Sequence, residues 1–118
     1  MLERSSMRII SQDGTIDVPY NFFSLSVASG KCKDVEYACI YCHNISAPHG
    51  TKLAEYSSKE KALKAMEMLR EQHEKVTFLK TIINTEKVAS FVSFLSETEF
   101  DEMTQNYFQF PKDDEVEV

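Results

Sequence analysis

The sequence predicts a single α+β domain: an antiparallel sheet of four to five short strands, with a long helix and one or two further helices packed on one face. Three observations carry this. The 118 residues fit one domain at roughly 150 residues per domain. Apolar residues alternate with a period of 2 as far as Tyr56 and then recur at three- and four-residue steps, the change from strand to helix. Gly and Pro punctuate the first half but do not occur between Thr51 and Phe110, so nothing interrupts a long helix there.

Met1–Ser6 read as a disordered leader, or as an upstream start, ahead of the first strand that Met7 opens. Arg8-Ile9-Ile10-Ser11 and Ile16-Asp17-Val18-Pro19 flank Asp13-Gly14, a strong hairpin signal. Phe22–Val27 alternates over its second half, and Gly30 with Lys31–Asp34 is expected to turn the chain. Val35–Tyr41 is rich in β-formers. Ala47-Pro48-His49-Gly50 is expected to break the chain before a last alternating run, Lys52–Tyr56. Ser57, with Glu60 three residues on, suggests a capping box. Behind it Ala62, Leu63, Met66, Leu69, His73 and Val76 form one apolar stripe, with Lys59, Lys64, Glu67, Arg70 and Glu71 opposite. A helix of about 18 residues would span about 27 Å and cross a small sheet. Val88, Phe91, Val92 and Leu95 mark a second helix, and Ser96 with Glu99 caps a short third one. The chain closes with a strand-like run, Tyr107–Phe110, and an acidic tail, Lys112–Val118, expected to be solvated.

Charge removes several classes of function. Thirteen Lys and Arg against nineteen Asp and Glu leave a formal charge of −6, the wrong sign for duplex DNA or an anionic membrane surface. No apolar run has the length of a secretory signal or a membrane span, so a cytoplasmic protein with reduced thiols is expected. The odd number of cysteines, three, argues against a disulfide framework.

Catalytic patterns are sparse. Cys39-Ile40-Tyr41-Cys42-His43 has the form of a haem attachment site, but inside a strand residues 39 and 42 face opposite ways. Cys32, Cys39, Cys42, His43 and His49 offer soft ligands for zinc, yet a second Cys-x-x-Cys pair is missing. No Gly-x-Ser-x-Gly elbow, Gly-rich phosphate loop or His-Glu-x-x-His occurs. The sequence therefore predicts a protein that is not an enzyme and needs neither metal nor cofactor.

Binding asks for less: a few cationic or amide groups beside an aromatic platform. The candidates are Arg8 on the first strand and Arg70 on the polar side of the long helix. Asn84, Asn106 and Gln109 join them as neutral donors near Phe78 and the aromatics of Tyr107–Phe110. Eight Phe and five Tyr exceed what one small core needs, and such residues concentrate at interfaces. A homo-oligomer, a dimer or a multiple of dimers, is expected.

Three segments carry a resemblance. They are the opening Met7–Tyr20 (MRIISQDGTIDVPY), the helix entry Leu53–Ala62 running into Ala65–Arg70, and the ending Phe108–Val118 (FQFPKDDEVEV). Together they resemble small proteins of phages and prophages of Gram-positive bacteria, in particular the Thoeris anti-defence sponge family. Lys31–Gly50 and Lys75–Glu102 lie outside the resemblance. It implies a protein that binds cyclic ADP-ribose isomers and sequesters them unchanged in the infected cell, so blocking Thoeris immunity. Some relatives also hold cyclic di- or trinucleotides at a second site, which would extend the block to CBASS immunity, and they assemble from dimers into larger rings. For such a ligand the chemistry of the candidates assigns Arg8 and Arg70 to phosphate, Asn84, Asn106 and Gln109 to ribose or base edges, and Phe78 and Phe110 to stacking. The competing class is an acidic interaction protein, encoded by a phage, that inhibits a host protein. A metal-dependent redox or regulatory module hangs on the cysteines alone.

Overall fold

In the computed structural model, which describes residues 7–82, 93 and 95–118, the protein is α+β. Among the described residues, six strands form two sheets of three rather than one. β1 (Arg8–Ile10) and β2 (Asp17–Pro19) make the expected hairpin, paired antiparallel with Ile9 opposite Val18. Its loop is organised by Asp13, whose carboxylate accepts from Ser11 Oγ at 2.7 Å, Thr15 Oγ1 at 2.7 Å and Thr15 N at 3.1 Å. Gly14 beside it takes φ +79°, a left-handed backbone open to glycine at little strain.

After one 3-10 turn at Tyr20–Phe22, β3 (Ser24–Cys32), β4 (Val35–Asn44) and β5 (Ala47–Tyr56) form a meander. The turns differ from expectation. Gly30 lies inside β3, and the hairpin closes on Lys33 and Asp34, with φ of 52° and 65°, the left-handed pair of a two-residue turn that matches strand twist. Ala47–Gly50 opens β5 instead of breaking the chain, and the turn falls on residues 45 and 46. Pro48 is tolerated because β5 is an edge strand.

Helix α1 (Lys59–Ile82) runs 24 residues, longer than expected. Its cap is Ser58, whose Oγ accepts from Lys61 N at 3.1 Å; Ser57 N instead donates to Asp113 at 2.8 Å. Ala62, Ala65, Leu69 and Val76 of α1 are buried against Ala38, Ile40 and Cys42 of β4 and Leu53 and Tyr56 of β5. The same core takes Met7 and Ile9 from one end of the chain and Phe108, Phe110 and Val116 from the other. Leu63, expected on the apolar stripe, is 48% exposed. Of the expected second helix, Val88, Phe91 and Val92 lie outside the described residues, and Leu95 falls in a bend ahead of the next helix. Helix α2 (Glu97–Thr104) begins with the expected capping box: Glu99 N donates to Ser96 Oγ, and Ser96 N to Glu99 Oε1, both at 3.1 Å.

The final strand, β6 (Tyr107–Gln109), pairs with β1 in parallel, Ile9 opposite Phe108. Strand direction leaves no trace in hydropathy; it follows from the chain's return past α1 and α2. The acidic tail is not free. Asp113 accepts from Lys61 Nζ at 3.3 Å as well as from Ser57, and Val116 is 3% exposed in the core. Gln12 ties the sheets together. Its backbone N–H donates to Leu53 O, its side-chain amide donates to Glu55 O and Pro111 O, and its Oε1 accepts from Glu55 N.

Candidate functional site

The structure separates the expected site residues. Arg8 is committed: its Nε donates to Asp17 Oδ1 at 2.7 Å and its Nη2 to Asp17 O at 3.4 Å. The β1–β6 register places Arg8 beside Tyr107 and Ile10 beside Gln109, so Arg8 and Gln109 share one face of the small sheet. Gln109 Nε2 donates to Ser11 O at 3.3 Å. Asn106 Oδ1 accepts from Lys80 Nζ at 3.2 Å, and its backbone carbonyl accepts from Arg8 N at 3.1 Å. Phe110 is 1% exposed and its ring meets Phe108 edge-on, centroids 5.3 Å apart. Its faces are spent on the core, so it offers no stacking platform. Phe78 is half exposed on α1, and Asn84 lies outside the described residues.

Arg70 is placed differently. It lines a notch of about 220 Å³ with Tyr20, Phe23, Leu25, Met66 and Leu69, where one flank of α1 meets the 3-10 turn and the start of β3. Among the described residues no carboxylate pairs with its guanidinium. At steps of four and three, Met66, Arg70 and His73 face this flank, and the Tyr20 ring stacks on His73. Burial, with Lys80 adding a smaller push, lowers the His73 pKa below its ordinary 6.5, so the imidazole is neutral at pH 7. Arg70 is the fixed positive charge of the notch.

Phe23 also lines the far side of this wall, a wider open groove of about 720 Å³ bounded by Asn21, Phe22, Ser24, His43, Asn44 and Pro48. Phe22 is 71% exposed there. In the groove His43 Nε2 lies 2.7 Å from Ser26 Oγ, and Nδ1 lies 3.2 Å from Pro48 O. A carbonyl only accepts, so Nδ1 carries the proton and Nε2 accepts from the serine hydroxyl. Gly50 backs the ring: a Cβ there would stand 2.6 Å from His43 Cε1, and its φ is +86°, so both space and backbone call for glycine. The notch offers one cation beside aromatic rings, and the groove exposed aromatics with Asn21 and Asn44, whose Oδ1 accepts from Ala47 N at 2.8 Å. The groove alone falls within the size range of small-molecule sites, about 300–1,000 Å³.

The thiols divide as expected for a strand. Cys42 is buried in the core, and burial pushes its thiol pKa up, the opposite of an activated nucleophile. Cys39 Sγ points to Glu55 Oε1 at 3.8 Å. Among the described residues no three His, Cys, Asp or Glu side chains converge to hold a cation, and no helix is long and apolar enough to cross a membrane.

Sequence reasoning missed Tyr20, Asn21, Phe22, Phe23 and Asn44. One signal was present: Tyr20–Phe23 does not alternate, and three aromatics directly behind Pro19 fit a tight turn better than a strand. The fold and these surfaces define an α+β protein with a cationic, aromatic-walled notch. No protein-family model, curated protein or solved structure matches the chain significantly.

Proposed function

We propose that the protein binds a cyclic ADP-ribose-type nucleotide and holds it without cleaving it, acting as a phage anti-defence sponge that blocks Thoeris immunity in the host cytoplasm. Cyclic di- or trinucleotides at a second site would extend the block to CBASS immunity. The observation that supports this reading is Arg70, a cation without a carboxylate partner among the described residues, lining one notch with Tyr20 and Phe23. A diphosphate takes charge-assisted bonds from a guanidinium, and a base gains about 1–3 kcal/mol by stacking on an aromatic ring. Asn21 and the side-chain N–H groups of Asn44, whose Oδ1 is taken by Ala47 N, suit base or ribose edges. A trap that outcompetes a receptor needs nanomolar affinity, about −12 kcal/mol.

The rival reading, an acidic surface that inhibits a host protein, loses support from the tail. Its one cluster of acids is partly spent on Ser57 and Lys61, and Val116 anchors it in the core.

Incubating the protein with cyclic ADP-ribose isomers, removing free ligand and heat-denaturing the complex is expected to release intact nucleotide. Arg70→Ala is expected to weaken binding at least tenfold while leaving the circular dichroism unchanged. No calorimetric heat and no thermal shift across a panel of cyclic nucleotides would overturn the reading.

A further inference from the structure

The two edges of the larger sheet are treated differently. β5 is closed near its end by Gln12, which takes Leu53 O, Glu55 O and Glu55 N. β3 has no such cover among the described residues. Its nine residues pair with β4 in unbroken register from Ser24–His43 to Cys32–Val35, so its outer side is a straight row of main-chain donors and acceptors. Natural edges of this kind are blunted by proline, bulges or several charges. β3 has no proline or bulge and a single charge, Lys31.

We infer that β3 pairs antiparallel with β3 of a second copy about a two-fold axis through Ala28, making one continuous six-stranded sheet. Three observations select this occupant. An antiparallel edge is complementary to itself, and full overlap of Ser24–Cys32 centres on Ala28. The strand contains no acidic residue, so two copies of a protein of charge −6 pair there without carboxylates opposed in the ladder. The exposed apolar groups also match. Phe22, 71% exposed, precedes one end of β3; Val35, 67% exposed, and Tyr37, 39% exposed, stand on β4 beside the other end. A two-fold pairing lays Phe22 of each copy beside the Lys33–Val35 turn of its partner. About nine ladder hydrogen bonds form, one per residue paired.

The register has a second consequence. Paired residues share a face, and Ala28 at the centre sets Leu25 opposite Lys31 of the second copy. Leu25 lines the Arg70 notch, so each copy lends the other a second cation at the notch. That consequence rests on the ligand reading above; the pairing does not, and it is tested without nucleotide.

Sedimentation equilibrium on the full chain is expected to show a dimer at micromolar concentration. In a Cys32→Ser background, Ala28→Cys is expected to form a disulfide-linked dimer on mild oxidation. Cys32 in the unaltered chain is expected to form none, because the two copies of residue 32 lie about 26 Å apart at 3.3 Å per residue. Ala28→Lys sets like charges opposite each other and is expected to give a monomer with unchanged circular dichroism. Hydrogen exchange in the dimer is expected to protect alternate β3 amides that exchange freely in this variant. A monomer throughout the micromolar range, or a dimer that survives Ala28→Lys with β3 amides still unprotected, would overturn the pairing.

Discussion

The phenol ring of Tyr20 lies flat on the imidazole of His73, centroids 3.9 Å apart and planes 13° from parallel. The stack pins the 3-10 turn to α1 and forms one wall of the Arg70 notch. It also fixes the sign of a pH effect. Burial lowers the folded-state pKa of His73 below 6.5, so the unfolded chain binds the proton more readily. The stabilisation is complete above pH 6.5 and falls as pH drops from there toward the folded-state value. The melting temperature is expected to decline between pH 7 and pH 5.5, above the range where carboxylates titrate. His73→Phe keeps the ring contact and removes the proton site. Thermal scans of this variant are expected to be flat over that window; an unchanged slope would assign the effect elsewhere.

Ser58, rather than Ser57, is the helix cap, since its Oγ accepts from Lys61 N at 3.1 Å. Ser58→Ala is expected to destabilise the protein by about 1 kcal/mol in urea denaturation, the usual loss for a cap. Ser57→Ala is expected to lose less, because Ser57 N keeps its bond to Asp113.

These two serines show where the sequence was legible and where it was not. The change of period at Tyr56 located α1 because it reports burial, and the core residues Ala62, Leu69 and Val76 follow it. Adjacent serines are equivalent to a pattern, and only the tail, arriving from 56 residues away to place Asp113 on Ser57, separates them. The division into two sheets was hidden for the same reason. β1 and β6 each span three residues, too short for alternation to show a partner or a direction. Of the candidate ligand residues, Arg70 was read on the polar side of the helix, opposite Met66 and Leu69, yet it lines a notch with both, while Arg8 looked equivalent to it until Asp17 claimed it. Tyr20 and Phe23 sit in and beside a short 3-10 turn, where no periodicity says which way a side chain faces.

Asp13 organises the β1–β2 loop through its bonds to Thr15 and Ser11, and those bonds hold its carboxyl down to about 2 from 3.8. A lowered carboxyl stabilises the fold above its unfolded value, and this is lost as pH falls from about 3.8 toward about 2. An NMR titration of the Asp13 carboxyl carbon is expected to give a midpoint near 2. Thr15→Ala, which deletes the largest contribution, is expected to move it up. A midpoint at the ordinary value in the unaltered chain would show that the loop does not hold these bonds in solution.

The tail offers a paired comparison. Val116 is 3% exposed and Val118 69%, so the same substitution samples core and solvent two residues apart. Val116→Ala removes two buried methyl groups' worth of packing and is expected to destabilise by about 2 kcal/mol. Val118→Ala is expected to fall within about 0.5 kcal/mol of the unaltered protein. Equal, small effects in urea denaturation would return the tail to solvent.

Gln12 tests the junction between the sheets, because its amide must donate and accept at once. Nε2 donates to Glu55 O at 3.1 Å and Pro111 O at 3.0 Å, while Oε1 accepts from Glu55 N at 3.0 Å. Gln12→Ala leaves those groups without their partner and is expected to lose about 1–3 kcal/mol, the usual range for deserted polar groups. Gln12→Glu is nearly the same shape and still accepts from Glu55 N, but it sets a carboxylate against two carbonyl oxygens. It is expected to destabilise at least as much as the alanine at pH 7 and to recover part of that loss when acid protonates it. Hydrogen exchange at the Glu55 amide separates the two variants: faster in Gln12→Ala, still protected in Gln12→Glu. If the glutamate variant matched the unaltered protein at neutral pH, the two donated bonds would contribute nothing, and the sheets would be joined by the core alone.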